Sequence, residues 1–244
     1  MLPKILETRI NEFLFVNYGI EGTLQRLGGE NLNLLIATEQ GERYVLKIVT
    51  EESANDSAPA EDRLFQHLKR AGFSRDLPTI IKSYKGNINS GIEIHNNDLK
   101  VAYLMNYVPG EVLEKNTDIS NKLRFDSGRA MASLDRALRG FDDPFAHRKH
   151  QWELPQAGRH RDKIAAIENP SDRALVEWAY GHWESVSHHL TELPHQVIHG
   201  DANKENLLTK GDRVTGLVDF ADVCFNPRIC ELAVLLAYMM MDQD

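Results

Sequence analysis

The chain has 244 residues, 42% of them hydrophobic and 26% charged, and 28 Lys and Arg against 36 Asp and Glu give it a net charge of −8. That length is ample for one large domain or two lobes around a buried core, and the composition is that of an ordinary globular protein. The acidic balance argues against a nucleic-acid binder, which would carry a basic patch or stripe, but leaves room for a nucleotide, which needs only one or two local cations.

Two cysteines, Cys224 and Cys230, are too few for a disulfide framework and read as buried structural thiols in a reducing cytosol. Lys4, Glu7, Arg9 and Glu12 stand where a signal peptide needs an apolar core. The longest apolar run, Ile229 to Met241, is interrupted by Glu231 and is shorter than the ~20 residues that span a bilayer. The expectation is a cytoplasmic protein without membrane association; nothing in the sequence indicates its oligomeric state.

In chain order, residues 1–18 predict a helix, with Ile5, Ile10, Phe13 and Leu14 at helical spacing. A β-meander follows: Gly22–Leu27, Asn33–Thr38 and Arg43–Val49, with Gly28-Gly29 at the first connection. Residues 50–60 are small and polar and predict a loop ending near Pro59, a plausible helix start. Glu61–Ala71 reads as a helix with Leu64, Phe65 and Leu68 inward and Gly72 as its stop. Thr79–Tyr84, Gly91–Ile94 and Lys100–Tyr107 read as further strands. From Ser120 onward helices dominate, over 120–139, 160–168 and 171–190. Pro109-Gly110 therefore marks the boundary between a strand-rich lobe, 1–107, and a helical lobe with one hairpin, 108–244. That hairpin runs from Leu207–Thr209 through Lys210-Gly211-Asp212-Arg213 to Val214–Val218.

The chemistry-bearing residues flank this hairpin. VIHGDANKENLL (197–208) and GLVDFAD (216–222) place Asn206 just before the first arm and Asp219 just after the second. Antiparallel pairing brings such flanking residues to one end of the ribbon, and Asp201 lies in the loop that feeds it. An aspartate to handle a hydroxyl proton, with Asn and Asp oxygens for Mg²⁺, is the minimum set for moving a phosphoryl group. His199 reads as a brace for this loop, and Asp222 as either a second carboxylate near the metal or a turn residue. Glu231 reads as a helix cap or a dipole partner.

Upstream, Lys47 sits in RYVLKIV, a strand apolar on both faces, where a buried lysine must snorkel or find an anion. A nucleotide phosphate or a helix carboxylate would serve, and Glu61 is the natural partner; for the segment alone, an edge lysine facing solvent is the other reading. Gly28 and Gly29 would let backbone approach anionic oxygens, though most such pairs are simple turns. His147, His150 and His160 suggest a solvated or substrate-facing surface more than a metal site. No Walker motif, H-E-x-x-H, C-x-x-C or G-x-S-x-G is present.

HGDANKENLL and GLVDFAD, with RYVLKIV upstream and YLMNYVPG at the lobe boundary, resemble the aminoglycoside phosphotransferase/choline kinase family, a small-molecule branch of the protein-kinase-like fold. LGGENLNLLI (27–36), SLDRALRGFDDPFAHRKHQWEL (133–154) and DFADVCFNPRICELAVLLAYMM (219–240) are similar to hydroxylysine kinase and to kinase domains fused to class-III aminotransferases. The resemblance implies a two-lobed α+β fold and transfer of the γ-phosphoryl of ATP or GTP, with Mg²⁺, to a hydroxyl of a small amino compound. A hydroxylysine-like amino alcohol is favoured over an aminoglycoside as acceptor, and a non-catalytic nucleotide-binding module is the alternative. By position, Lys47 holds the nucleotide phosphates, Glu61 pairs with it, Asp201 is the base, and Asn206 and Asp219 ligate the metal. Met105, Asn106 and Tyr107 form the hinge that bonds the purine. Ala221 departs from the family's usual glycine. The chain also ends 25 residues past Asp219, where relatives continue with further helices, which implies an incomplete acceptor pocket.

Overall fold

A computed structural model describes residues 2–29, 31–49, 54–95, 98–115, 119–149 and 152–241. The chain divides into two compact units, Met1–Glu111 with Thr215–Ala221, and Val112–Val214 with Asp222–Asp244.

The first unit begins with α1 (Lys4–Tyr18), which buries Leu6, Ile10, Phe13, Leu14 and Tyr18 and stops at Gly19 in the left-handed conformation. Ile5, expected inward, is 73% exposed, because the buried stripe runs through Leu6 instead. The strands are β1 (Thr23–Arg26), β2 (Leu32–Ala37) and β3 (Arg43–Val49), then β4 (Ile80–Ile81), β5 (Ser90–His95) and β6 (Asp98–Asn106). They form one antiparallel sheet in the order β1-β2-β3-β6-β4, with β5 also on β6. Its core joins α1 to Leu34, Ile36, Leu46, Ile48, Ile92, Ala102 and Leu104.

Between β3 and β4 lies α2 (Ala54–Arg70), which starts earlier than its sequence suggests and carries Pro59 inside it. The missing Pro59 N–H forfeits one helical bond. The small side chains of Ser57, Ala58 and Ala60 are all buried, and a close-packed helix face replaces the predicted loop. Residues 50–53 of that loop lie outside the described residues. Leu64, Phe65 and Leu68 point inward as expected. The segment 215–217 is tied in through Asp76, whose N–H donates to Thr215 O (2.8 Å) and whose carbonyl accepts from Leu217 N (3.0 Å).

The second unit contains α3 (Asn121–Ala137), following the short β7 (Glu111–Val112) at the division. The Ser120 hydroxyl caps α3 by accepting from Leu123 N at 3.1 Å. The helix expected over 160–168 runs instead over Leu154–Ala166 and is 3₁₀-helical, and α4 (Pro170–Ser187) follows with Asn169 as its cap. Four strands and a helix complete the chain: β8 (His195–Ile198), β9 (Leu207–Lys210), β10 (Arg213–Leu217), β11 (Cys224–Pro227) and α5 (Ile229–Met240). The hairpin of β9 and β10 turns at Gly211, with a φ of +59°. β10 is also where the chain passes from the second unit into the first. Within the second unit, the Asp126 carboxylate on α3 accepts from Val214 N at 2.9 Å. β8 pairs antiparallel with β11, and Ile198, Cys224 and Cys230 pack together beneath. Both cysteines are free and buried. Among the described residues, no helix is long and apolar enough to cross a membrane.

Candidate active site

In the first unit, β3 lies between β2 and β6, so the edge-strand reading of Lys47 fails. Lys47 is 4% exposed, and its Nζ donates to Asp219 Oδ1 at 2.8 Å. Asp219 is the one non-glycine residue with a positive φ (+57°) among the described residues. A short polar side chain tolerates that left-handed conformation better than most. The Asp219 side chain keeps 40% of its surface accessible. The next residue anchors it: the Phe220 ring is buried and meets Phe65 edge-on, with centroids 5.3 Å apart.

Glu61 lies well inside α2 rather than in its first turn and is 3% exposed. Its Oε1 accepts from the Tyr103 hydroxyl at 2.8 Å. Tyr103 stands directly opposite Lys47 across the β3–β6 pair and is fully buried. The loop at Gly28 and Gly29 is closed by Asn33, whose Nδ2 donates to Gly28 O at 3.0 Å. Gly29 has a φ of +104°, and a Cβ there would lie 2.8 Å from Asn33 Nδ2. Met105 is buried at the end of β6, while the N–H of Asn106 donates to Thr79 O and that of Tyr107 to Arg43 O. Those two amides are thus engaged within the unit.

In the second unit, β8 delivers the chain into His199-Gly200-Asp201. His199 is 1% exposed, and its Nδ1 accepts from Asp201 N at 3.3 Å. Gly200 has a φ of +83°, and a Cβ there would fall 2.6 Å from the Asp222 carbonyl oxygen. Asp222 therefore meets this loop through its backbone. Asp201 Oδ2 accepts two amide bonds, from Asn203 Nδ2 and from Asn206 Nδ2, each at 2.9 Å. Asn206 Nδ2 also donates to Asp201 O, so its NH₂ group is spent on this aspartate. Among the described residues, neither Asp201 Oδ1 nor Asn206 Oδ1 accepts a hydrogen bond.

Glu231 is not the cap of α5, a position that Arg228 occupies, but it does lie in the helix's first turn, where the dipole reading places it. It is fully buried at the start of α5, and its Oε2 accepts from His199 N at 2.5 Å while, among the described residues, Oε1 has no partner. Burial, reinforced by the Asp135 carboxylate, pushes its pKa up to about 8. A hollow of about 200 Å³ is lined by Glu114, Asn203, Lys204, Glu205, Tyr238 and Met241. Burial, and next the Glu114 carboxylate, raise the pKa of Glu205 above the ordinary range.

The geometry thus brings Lys47 together with Asp219 in one unit, and His199, Asp201 and Asn206 together in the other. Sequence reasoning missed Tyr103 and Asn203, and it did not foresee the bond from His199 N to Glu231; an acid in an otherwise apolar run was the one available signal for the last. Among the described residues, no group of three His, Cys, Asp or Glu side chains is arranged to hold a metal. His147 pairs with Asp142 at 2.6 Å and stacks on Phe225, whereas His150 lies outside the described residues.

The profile of the phosphotransferase enzyme family (APH) matches residues 23–244. Hydroxylysine kinase of Mus musculus is 26% identical over 224 residues, covering 84% of this chain and 59% of the mouse protein. Homoserine kinase of Rhizobium meliloti is 27% identical over 225 residues, covering 89% of this chain and 63% of that protein. The chain therefore spans less than two thirds of either relative. Among solved structures, amicoumacin kinase in complex with AMP-PNP, Ca²⁺ and Ami superposes with a TM-score of 0.68 at 16% identity, covering 98% of this chain and 72% of that one. The shared architecture is the two-lobed, protein-kinase-like α+β fold.

Proposed function

This chain belongs to the phosphotransferase enzyme family, and on that premise we propose that it is a Mg²⁺-dependent small-molecule kinase acting on a hydroxyl of a small amino compound. ATP or GTP is the donor, and a hydroxylysine-like amino alcohol is the acceptor favoured over an aminoglycoside. The carrying observation is Asp201: two side-chain amides hold its Oδ2 and leave Oδ1 to receive a proton. A base oriented in this way needs no reorganisation when the substrate hydroxyl arrives.

Lys47 is suited to hold the nucleotide phosphates, since its buried ammonium already has an anion, Asp219, to replace or share. The amides of Asn106 and Tyr107 are already engaged, so those two are not open donors for a purine. Each of the two expected ligands, by itself, is of a type a hard cation takes: Asp219 in the first unit has an accessible carboxylate, and Asn206 in the second a carbonyl oxygen whose NH₂ is turned away onto Asp201. Mg²⁺ would supply the neutralisation of charge on the phosphates. The hollow beside Asn203, with Glu114 and Glu205 on its walls, suits the ammonium group of an amino alcohol.

A phosphate-transfer assay with ATP and GTP against a panel of amino alcohols, run beside Asp201→Ala, tests the reading. Loss of the base should lower turnover roughly 10²- to 10⁴-fold. Equal residual activity in wild type and variant refutes catalysis by Asp201. Nucleotide binding with no acceptor turnover instead favours the non-catalytic module.

A further inference from the structure

The loop from Asp201 to Asn206 holds an asparagine whose side chain is used at both ends. Asn203 Oδ1 accepts from the backbone N–H of Glu205 at 2.8 Å and from that of Asn206 at 3.0 Å. Its Nδ2 donates to Asp201 Oδ2 at 2.9 Å. A backbone N–H can only donate, so the amide oxygen must face the turn and the NH₂ must face the carboxylate. The rest of the loop is pinned around this side chain: Ala202 is buried, and Lys204 O accepts from Glu114 N at 3.1 Å. Asn206 returns its own NH₂ to the carbonyl oxygen and to Oδ2 of Asp201. Asn203 also stands on the wall of the hollow of about 200 Å³.

We infer that Asn203 is a positioning residue for the base: its amide, locked by the turn, holds Asp201 Oδ2 and so keeps Oδ1 as the oxygen that takes the acceptor's proton. The inference rests on the reading of Asp201 as the base. A carboxylate on a loop rotates easily about its last torsion and exchanges its two oxygens. Two donors from different residues on one oxygen stop that rotation. The two donors differ in what anchors them. Asn206 is also an expected metal ligand, so its side chain answers to the cation, whereas Asn203 is fixed by backbone amides and keeps its aim whether or not a metal is bound. The residue type carries the argument. A turn of this kind needs only a side-chain oxygen, which aspartate or serine would supply as well. The NH₂ that asparagine adds goes to the base. An acceptor seated in the hollow would touch that same side chain, so acceptor binding and base orientation share one residue.

Asn203→Asp and Asn203→Ser both keep an oxygen for the amides of Glu205 and Asn206, so the turn is retained, and both lose the NH₂ that holds the base. In a phosphate-transfer assay of the whole chain with Mg·ATP and the amino-alcohol panel, kcat should fall roughly 10- to 10²-fold in each variant. The urea midpoint of unfolding should stay where it is. In Asn203→Ser, which adds no charge, the KM for ATP should also be unchanged. In an Asp201→Ala background neither change should lower the residual turnover further, because no base is left to hold. Wild-type kcat in both variants describes an asparagine that only shapes the turn, and overturns the inference. A loss confined to Asn203→Asp is charge repulsion and overturns it too, as does a loss that tracks a lowered unfolding midpoint or persists undiminished beside Asp201→Ala. A wild type without turnover on any acceptor, or an Asp201→Ala variant as active as wild type, overturns the reading of Asp201 and the inference with it. Turnover that depends on Asp201 but not on the Asn203 amide overturns the inference alone.

Discussion

Glu231→Gln should make this protein less stable in mild acid and more stable in mild base. In the folded chain the carboxyl titrates at about 8, against an ordinary value of 4.5, because it is fully buried and lies near Asp135. Below pH 4.5 both folded and unfolded chains hold the proton, and the group contributes no penalty. As pH rises from 4.5 to 8 the unfolded chain releases the proton and the folded chain keeps it, so stability falls. At about 1.4 kcal/mol per pH unit, the full window corresponds to roughly 5 kcal/mol. Glutamine is neutral throughout, and its oxygen can still accept from His199 N. Its NH₂ would stand where Oε1 finds no partner among the described residues, at a pH-independent cost of about 1–3 kcal/mol. The variant should therefore unfold at lower urea than wild type at pH 5 and at higher urea at pH 8, with the curves crossing between. Asp135 is itself raised to about 6, mainly by burial, and it interacts with Glu231, so the pH-dependent difference between the two proteins belongs to this pair of carboxyls. A difference in unfolding free energy that stays constant from pH 5 to 8 would sink this reasoning.

Two further substitutions probe the loops. Gly200→Ala forces a side chain into a left-handed position with its Cβ 2.6 Å from the Asp222 carbonyl; the expected cost is about 1–3 kcal/mol by thermal or urea unfolding. An unchanged midpoint would show that the loop can relax around it. Asp219→Asn preserves tolerance of the left-handed backbone but removes the charge, so Mg·nucleotide affinity should fall. Nucleotide titrations at several Mg²⁺ concentrations measure this, and an unchanged metal dependence contradicts the assignment of Asp219.

Legibility in the sequence followed the range over which each signal acts. The strand Arg43–Val49 and the α3 start at Ser120 are local patterns, and both elements lie where periodicity and capping place them. The start of α2 was misread because Pro59 looks like a first-turn residue, while the packing of Ser57, Ala58 and Ala60 has no local signature. Asp201 and Asn206 are five residues apart and could be read together. Glu231 and His199, 32 residues apart, could not; nor could Glu61 and Tyr103, 42 apart. Tyr103 emerges only once the β3–β6 register is known, since one residue of slip would turn it to the opposite face.

The chain enters its first unit twice, and this limits how the protein can be cut. A fragment of residues 1–111 would carry Lys47 without Asp219 and Phe65 without Phe220, and would leave the backbone of Asp76 without Thr215 and Leu217. A buried ammonium, an uncovered aromatic ring and two unmet backbone groups would follow from one cleavage. The strand-rich unit is therefore not a transplantable module. Dissection by limited proteolysis or by exchange of gene segments must keep residues 215–221 with it, supplied in the same polypeptide or added back as a peptide.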